Sequence, residues 1–391
     1  MKIGIDKIGF ATSQYVLKLE DLALARQTDP AKFSQGLLIE AFSVTPITED
    51  IITLAASAAD QILTDEDKAN IDMVILATET SVDQSKAAAI YVHHLMGIQP
   101  FARSFEVKEA CYSATAALDY AKLHVAAKPE SRVLIIASDI AKYGIDSAGE
   151  ATQGAGSIAL LVTANPRILK LNNDNMAQTR DIMDFWRPNY SSTPFVNGIY
   201  STKQYLDSLK TTWQAYQEKE AAQLTDFAAF CFHLPFPKLA LKGLNKMIDD
   251  SLPVDHRERL LEAFQASIVY SKQIGNIYTG SLYLGLLSLL ENSNALQAGD
   301  KIGLFSYGSG AVSEIFSGQL VAGYDKMLMT NRQAILDQRQ RISVAKYEEL
   351  FYEEPQLDKD GNTHFKTYLT GKFALTEIKD NQRLYQINDK N

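Results

Sequence analysis

An α/β fold is predicted by three observations. Apolar runs of strand length alternate with helical segments, small residues open two of those helices, and the order of elements in the first half recurs in the second. The chain has 391 residues, 46% hydrophobic and 22% charged, a composition ordinary for a soluble globular protein with one large core or two domains. No apolar run approaches the ~20 residues needed to span a bilayer.

In order along the chain, Met1–Lys7 alternates charged and aliphatic residues like a strand and lacks the apolar stretch of a signal peptide. Ile71–Ala77 reads as a buried strand ending at Thr78-Glu79-Thr80, and a helix follows from Lys86 to Met96. Small residues after Cys111 open a second helix, Arg132–Ser138 is another strand, and Gly154-Ala155-Gly156 precedes a third. The second half repeats this order. Phe227–Phe232 is a strand ending at His233, a helix covers Lys238–Asp249, Gly275–Ser281 opens a helix rich in Leu and Gly, and Lys301–Ser306 is a strand followed by Gly308-Ser309-Gly310. The halves divide as 1–167 and 168–391. Two such units related by a pseudo-twofold would bring Glu79, Cys111, His233 and Asn276 to corresponding strand ends and helix starts, where α/β folds collect ligand-binding groups. A more polar stretch, 172–225, is an insertion placed to cover a site, with a loop over Arg187–Pro194 and a helix near Lys203–Glu220. Beyond Asn331 the chain is charged, with one helix near Ser343–Phe351 and turns at Glu353-Glu354-Pro355 and Asp358–Asn362.

Composition also narrows function. A formal charge of −9 disfavours nucleic acid as the main partner, so an anionic substrate would need a local basic patch. Two cysteines in so long a chain argue against a disulfide framework and fit a reducing cytoplasm. The histidines and cysteines form no His-x-x-x-His or Cys-x-x-Cys pattern, so no metal site is expected. Gly154–Ala159 matches the spelling of a dinucleotide fingerprint, yet no strong strand immediately precedes it and strand-like residues follow. A tight turn into a core strand is the expected use of those glycines.

Cys111 is the foremost candidate nucleophile. The macrodipole and unpaired N–H groups of the helix start favour a thiolate there, and the alanines beyond leave room for a substrate. A lone cysteine is more often a small buried hydrophobe, and Cys231, between Phe230 and Phe232, fits that description. His233, at a strand end before Leu234-Pro235-Phe236-Pro237, is held as a general acid or base must be; a satisfied core histidine is the competing reading. Glu79 closes an apolar strand, where a carboxyl with a raised pKa could act as a base; a capping or ion-paired glutamate is the alternative. Lys238 and Lys242 share a helix face and could meet phosphates, although a solvated lysine face is the default.

Taken together, these residues resemble bacterial 3-hydroxy-3-methylglutaryl-CoA (HMG-CoA) synthases of the thiolase superfamily. The similarity runs over nearly the whole chain. It is carried by Ala77–Thr80, Arg103–Tyr112, Ser138–Tyr143, Thr152–Gly156, Asp184–Pro188, Gly275–Ser281 and Phe305–Gly310. The resemblance implies a thiolase-like fold with Cys111 as acyl carrier, Glu79 as general base and His233 as general acid. It implies that Asn276 and Ser309 hold carbonyl oxygens, that Tyr143, Thr152, Asp184 and Ser201 surround the acyl pocket, and that Asp29, Lys238 and Lys242 lie near coenzyme A. It implies acetyl-CoA and acetoacetyl-CoA as substrates, HMG-CoA as product, a cytoplasmic homodimer, no metal or redox cofactor, and a place in the mevalonate route. Ketoacyl synthases, carrier-protein-dependent β-branching synthases and a non-catalytic CoA-binding scaffold are the rivals. One departure stands out: where the family shows Gly-x-Gly-Gln, this chain has Gly36-Leu37-Leu38-Ile39, which puts the backbone path at the substrate entrance in question.

Overall fold

The structure, a computed structural model, describes residues 1–388. Ten strands form one mixed sheet: β1 (Ile3–Ala11), β2 (Ile71–Ala77), β3 (Arg103–Val107), β4 (Arg132–Ala141), β5 (Gly154–Ala164), β6 (Leu169–Leu171), β7 (Met176–Thr179), β8 (Ala229–Phe232), β9 (Lys301–Gly308) and β10 (Val312–Leu320). Their order is β8-β9-β10-β6-β1-β5-β4-β2-β3, with β7 added to β10. On one side β2 runs parallel to β4, β4 antiparallel to β5, and β5 antiparallel to β1. On the other, β8 runs parallel to β9, β9 antiparallel to β10, and β10 antiparallel to β6. The same pairing scheme thus flanks the middle of the sheet, and β3, parallel to β2 at the edge, lies outside it.

The principal helices are α1 (Ile51–Asp60), α2 (Ala88–Leu95), α3 (Ser113–Ala127), α4 (Gly198–Glu220), α5 (Pro237–Met247), α6 (Val254–Ser267) and α7 (Ser281–Asn292). Strand alternation sorts them into layers. Met73, Ile75 and Ala77 of β2 join a central cluster that contains α3 and α7, whereas Val74 and Leu76 join an outer cluster with α1 and α2. Ala229 and Cys231 of β8 face that centre, while Phe230 and Phe232 pack outward beneath α4, α5 and α6. Strands covered on both faces read as near-continuous apolar runs, which is why they were legible. The central layer is filled by small residues on one helix and large ones on the other: Ala114, Ala117 and Ala121 of α3 with Leu284, Leu286 and Leu287 of α7. Each buried leucine contributes roughly 1.5–3 kcal/mol, and Leu287→Asp would bury an unpaired carboxylate there, enough to unfold a typical domain.

Several expectations need correction. Gly154 and Gly156 lie inside β5 and form no turn. Gly154 is required because a Cβ there would fall 2.5 Å from the Asn276 carbonyl oxygen. Helix α4 begins at Gly198, five residues before the expected start. The region beyond Asn331 holds the expected helix, Val344–Tyr352, and also a three-stranded antiparallel sheet of Thr363–His364, Phe373–Lys379 and Gln382–Ile387 where only turns were expected. That sheet is anchored through Asp50, the N-cap of α1, which accepts a 2.6 Å bond from the Tyr385 hydroxyl. Among the described residues no helix is long and apolar enough to cross a membrane.

Candidate active site

Cys111 lies in the turn that leads into α3. The Tyr112 amide donates to the Glu109 carbonyl at 3.0 Å, and Ala110 takes φ +40°, a left-handed value that costs an alanine roughly 1–2 kcal/mol. Ser113 holds the turn: its hydroxyl accepts from the Glu109 amide at 2.5 Å and donates to the Ala110 carbonyl at 2.9 Å.

Glu79 follows the end of β2, and its Oε1 accepts from the Cys111 thiol at 2.9 Å. The helix start does not make Cys111 a thiolate. Burial first, and the Glu79 carboxylate second, hold the thiol well above its ordinary pKa. Burial together with the neighbouring carboxyl outweighs the half-charge of a helix terminus. Glu79 is itself pushed up to about 8, by burial first and by Asp139 second. The two groups therefore titrate as a pair, with Glu79 able to take the thiol proton.

Asp139 organises this corner. Fully buried in β4, it accepts from the Thr78 hydroxyl (2.7 Å), the Glu79 amide (2.9 Å), the Thr80 amide and hydroxyl (3.1 and 2.7 Å), and the Thr279 amide and hydroxyl (3.1 and 2.5 Å). It fixes the Glu79 loop against the loop after Asn276. Tyr143, Tyr278 and Phe185 pack edge-on or tilted at 5.9–6.0 Å, and Arg187 donates to the Glu79 carbonyl at 2.6 Å. The Asn276 side chain donates to the Tyr143 hydroxyl at 3.0 Å and accepts from the Tyr278 amide and the Ser281 hydroxyl. Its backbone amide donates to the Thr152 carbonyl at 3.2 Å. Asp184 accepts from the Tyr307 hydroxyl at 2.6 Å and from the Gly310 amide at 2.9 Å, which fixes the Ser309 turn. Ser309, Phe185, Arg187 and Glu79 line a cleft of about 480 Å³.

His233 follows β8. Its amide donates to Phe305 of β9 at 2.7 Å, and its carbonyl accepts from Tyr205. Burial lowers its pKa to about 3, so the ring is neutral at physiological pH, and Nδ1 is buried without a hydrogen-bond partner among the described residues. Cys231 belongs to the central core, where burial raises its thiol pKa.

Bonds and packing thus connect Glu79, Cys111, Tyr143, Thr152 and Asn276, with Asp184 and Ser309 joined through Gly310. They do not bring Ser201, Asp29, Lys238 or Lys242 into this set. Ser201 is in the first turn of α4, Asp29 is exposed, and Lys238 and Lys242 stand half-buried and exposed on α5. The departure at 36–39 leaves a defined path: Leu38 adopts φ +61°, Ile39 is buried, and the Leu37 carbonyl accepts from the Lys238 amide at 3.1 Å at the start of α5. Asp139, Tyr278, Phe185 and Arg187 carried no role in the sequence reading. Asp139 had a signal, since it is a lone carboxylate within the apolar run of β4. A larger cavity, about 600 Å³, opens between α4 and α5 around Lys210 and Lys246, and none of the expected site residues lines it.

Comparison with known proteins follows the same lines. A profile for the hydroxymethylglutaryl-coenzyme A synthase C terminal matches residues 172–263 and 252–386. The hydroxymethylglutaryl-CoA synthase of Enterococcus faecalis is 50% identical over 99% of this chain and 100% of its own. The polyketide biosynthesis 3-hydroxy-3-methylglutaryl-ACP synthase of Bacillus subtilis is 29% identical over 89% of this chain and 87% of its own. Among solved structures, an HMG-CoA synthase complexed with CoA superposes with a TM-score of 0.98 at 68% identity, covering 99% of this chain and 100% of that one. MvaS in complex with 3-hydroxy-3-methylglutaryl coenzyme A superposes with a TM-score of 0.89 at 33% identity, covering 99% of each chain. The fold is therefore the thiolase-like fold of those enzymes, and this chain belongs to the hydroxymethylglutaryl-CoA synthase family.

Proposed function

We propose that this chain condenses acetyl-CoA with acetoacetyl-CoA to give HMG-CoA and CoA through an acetyl-Cys111 intermediate, the step that supplies mevalonate for isoprenoid synthesis. The observation that carries the reading is the 2.9 Å contact between Cys111 and a Glu79 carboxyl pushed up to about 8. A decarboxylating ketoacyl synthase needs no base beside its cysteine, because loss of CO₂ generates its carbanion. Condensing an unactivated acetyl thioester does need one.

In the sequence of steps, Glu79 takes the thiol proton as the sulfur attacks the acetyl thioester, and CoA leaves with a proton as free thiol. Ionised Glu79 then removes a methyl proton from acetyl-Cys111, and the carbanion adds to the C3 ketone of acetoacetyl-CoA. The neutral His233 ring donates its N–H proton to the forming alkoxide and regains one from the proton that Glu79 took from the methyl group, so both groups end the step as they began it. Asn276 and the Ser309 turn face the carbonyl oxygens, while Tyr143, Thr152, Asp184 and Ser201 shape the acyl pocket. Water finally cleaves the Cys111 thioester, which leaves a free carboxylate on the product and restores the thiol. Lys238 and Lys242, on α5, and Asp29 meet the coenzyme A moiety. The chemistry calls on no metal or redox cofactor.

Two further readings belong with this one. The halves 1–167 and 168–391 act as one catalytic unit, the first contributing Glu79 and Cys111 and the second His233, Asn276 and Ser309. The working form is a cytoplasmic homodimer. Edge strand β3 has an unpaired side, and Phe101, Tyr120 and Leu123 beside it are 91%, 50% and 61% exposed, an apolar face suited to a second copy. The carrier-protein-dependent alternative is less favoured, because the CoA-type relative shares 50% identity and the ACP-type relative 29%.

The test is sequential. Acetyl-CoA alone should add one acetyl group to the peptide bearing Cys111, and acetoacetyl-CoA should then yield HMG-CoA. Cys111→Ser should lose the adduct, and Cys231→Ser should keep it. An adduct on Cys231, or acetylation without condensation in the unmodified enzyme, would overturn the proposal.

A further inference from the structure

The cleft that opens onto Glu79 carries a second kind of chemistry. Three cations, Lys108, Arg180 and Arg187, line its walls together with Glu109 and Asp181. None of the three cations forms a salt bridge among the described residues, and burial raises the Glu109 pKa while the nearby Lys108 charge lowers it. Arg187 is spent on the Glu79 carbonyl at 2.6 Å, which leaves Lys108 and Arg180 as the cations available to a ligand. Ala110 also lines the cleft, so it reaches the turn that carries Cys111, whose sulfur lies 2.9 Å from Glu79. His233, Asn276, Lys238 and Lys242 do not line it, so this opening is separate from the approach along α5.

The chemistry of the reaction says what such an opening meets. Resting on the functional reading above, both substrates are thioesters whose acyl groups carry no carboxylate. Only the last step creates one: water adds to the Cys111 thioester carbonyl, the carbon–sulfur bond breaks, the sulfur leaves with a proton, and the acyl carbon becomes a carboxylate. That charge is born at Cys111, beside Glu79, with the cleft adjoining it. We propose that Lys108 and Arg180 form a carboxylate subsite that receives the free carboxylate of the product as it leaves Cys111. The subsite distinguishes product from both substrates by charge at the acyl end, and it draws the finished acid away from the sulfur.

Product inhibition reads this directly. Lys108→Ala with Arg180→Ala should weaken HMG-CoA inhibition by about tenfold and flatten its salt dependence, as removal of two partly exposed charges does. The rate of Cys111 acetylation and its KM for acetyl-CoA should stay unchanged, because acetyl-CoA has no acyl carboxylate. 3-Hydroxy-3-methylglutarate without CoA should protect Cys111 from alkylation in the unmodified enzyme and lose that protection in the double variant. Lys210→Ala with Lys246→Ala, on the other cavity, controls for a general change in charge. Unaltered product inhibition overturns the proposal, and so does an equal loss of affinity for acetyl-CoA, which would assign the cations to the CoA phosphates. If the unmodified enzyme forms no HMG-CoA at all, the functional reading fails and this subsite fails with it.

Discussion

The turn that bears Cys111 and the turn that bears Asn276 occupy matching places, each at the entry to a central helix, α3 or α7. Their chemistry is opposite. Around Cys111 the groups ionise and are coupled: burial raises all three pKa values, Asp139 raises Glu79 further, and both carboxylates raise the thiol further. On the other side the groups are neutral and fixed: the Asn276 amide is bonded at both ends, and burial holds the His233 ring uncharged. One side accepts protons while the other donates hydrogen bonds. A repeated scaffold gains a condensing site when its copies diverge in this direction, since carbanion chemistry needs a base on one face of the acyl group and a donor on the other.

The largest expected effect comes from removing the ionising side alone. Glu79→Ala should still acetylate Cys111 yet lower condensation by roughly 10²–10⁴-fold, the usual contribution of a positioned base. His233→Ala should block the same step from the donor side. Rapid-quench acetylation and HMG-CoA formation, measured separately, would expose the split; near-normal condensation in Glu79→Ala would erase the distinction between the two turns.

The backbones of the two turns differ as sharply. Gly275 precedes Asn276 at φ +81°, and a Cβ there would sit 1.8 Å from the Gln153 carbonyl oxygen, whereas Ala110 precedes Cys111 at φ +40°. Gly275→Ala should therefore destabilise the protein by about 3 kcal/mol or more, read as a fall in the denaturation midpoint. Ala110→Gly relieves left-handed strain while loosening the unfolded chain, so its effect should stay within about 1 kcal/mol. Equal losses from both would show that the two turns are under the same constraint.

A smaller effect sharpens the electrostatic half of the contrast. Burial is the first cause of the raised Cys111 pKa and will remain in Glu79→Gln, but the neighbouring negative charge will not. The sign follows: losing an anion favours the thiolate, so the pH midpoint for alkylation by iodoacetamide should fall, by about one unit. An unchanged or raised midpoint would mean that Glu79 does not control the Cys111 proton. The smallest change is expected far from both turns. Lys238→Ala with Lys242→Ala should raise KM for acyl-CoA substrates by about tenfold or less per lysine and weaken its salt dependence, with kcat preserved.

Much of this arrangement was legible because buried strands announce themselves. Ile71–Ala77 and Arg132–Ala141 are almost wholly apolar, so the residues at their ends stood out. Arg103–Val107 escaped notice because an edge strand, half-exposed along most of its length, has no clean alternation. The sheet near the C-terminus was hidden by its charges, since only one face packs on the core. The protonation of Cys111 could not be read from a helix start, because its main determinants are burial and a carboxyl 32 positions away in sequence. The role of Asp139 was equally hidden: its donors come from Thr78 to Thr80 and from Thr279, which only the folded chain gathers.

Strand β6 is three residues long, and it pairs with β1 on one side and β10 on the other. It is the stitch that makes one sheet out of two. A molecule joined this way has no seam along which its halves can part, so its amide protons in β1, β6 and β10 should exchange only through global opening, and its melting should follow a single cooperative transition. The half-buried sulfur is then reached through the cleft beside its turn, above a rigid floor, and catalysis and unfolding will respond to different mutations.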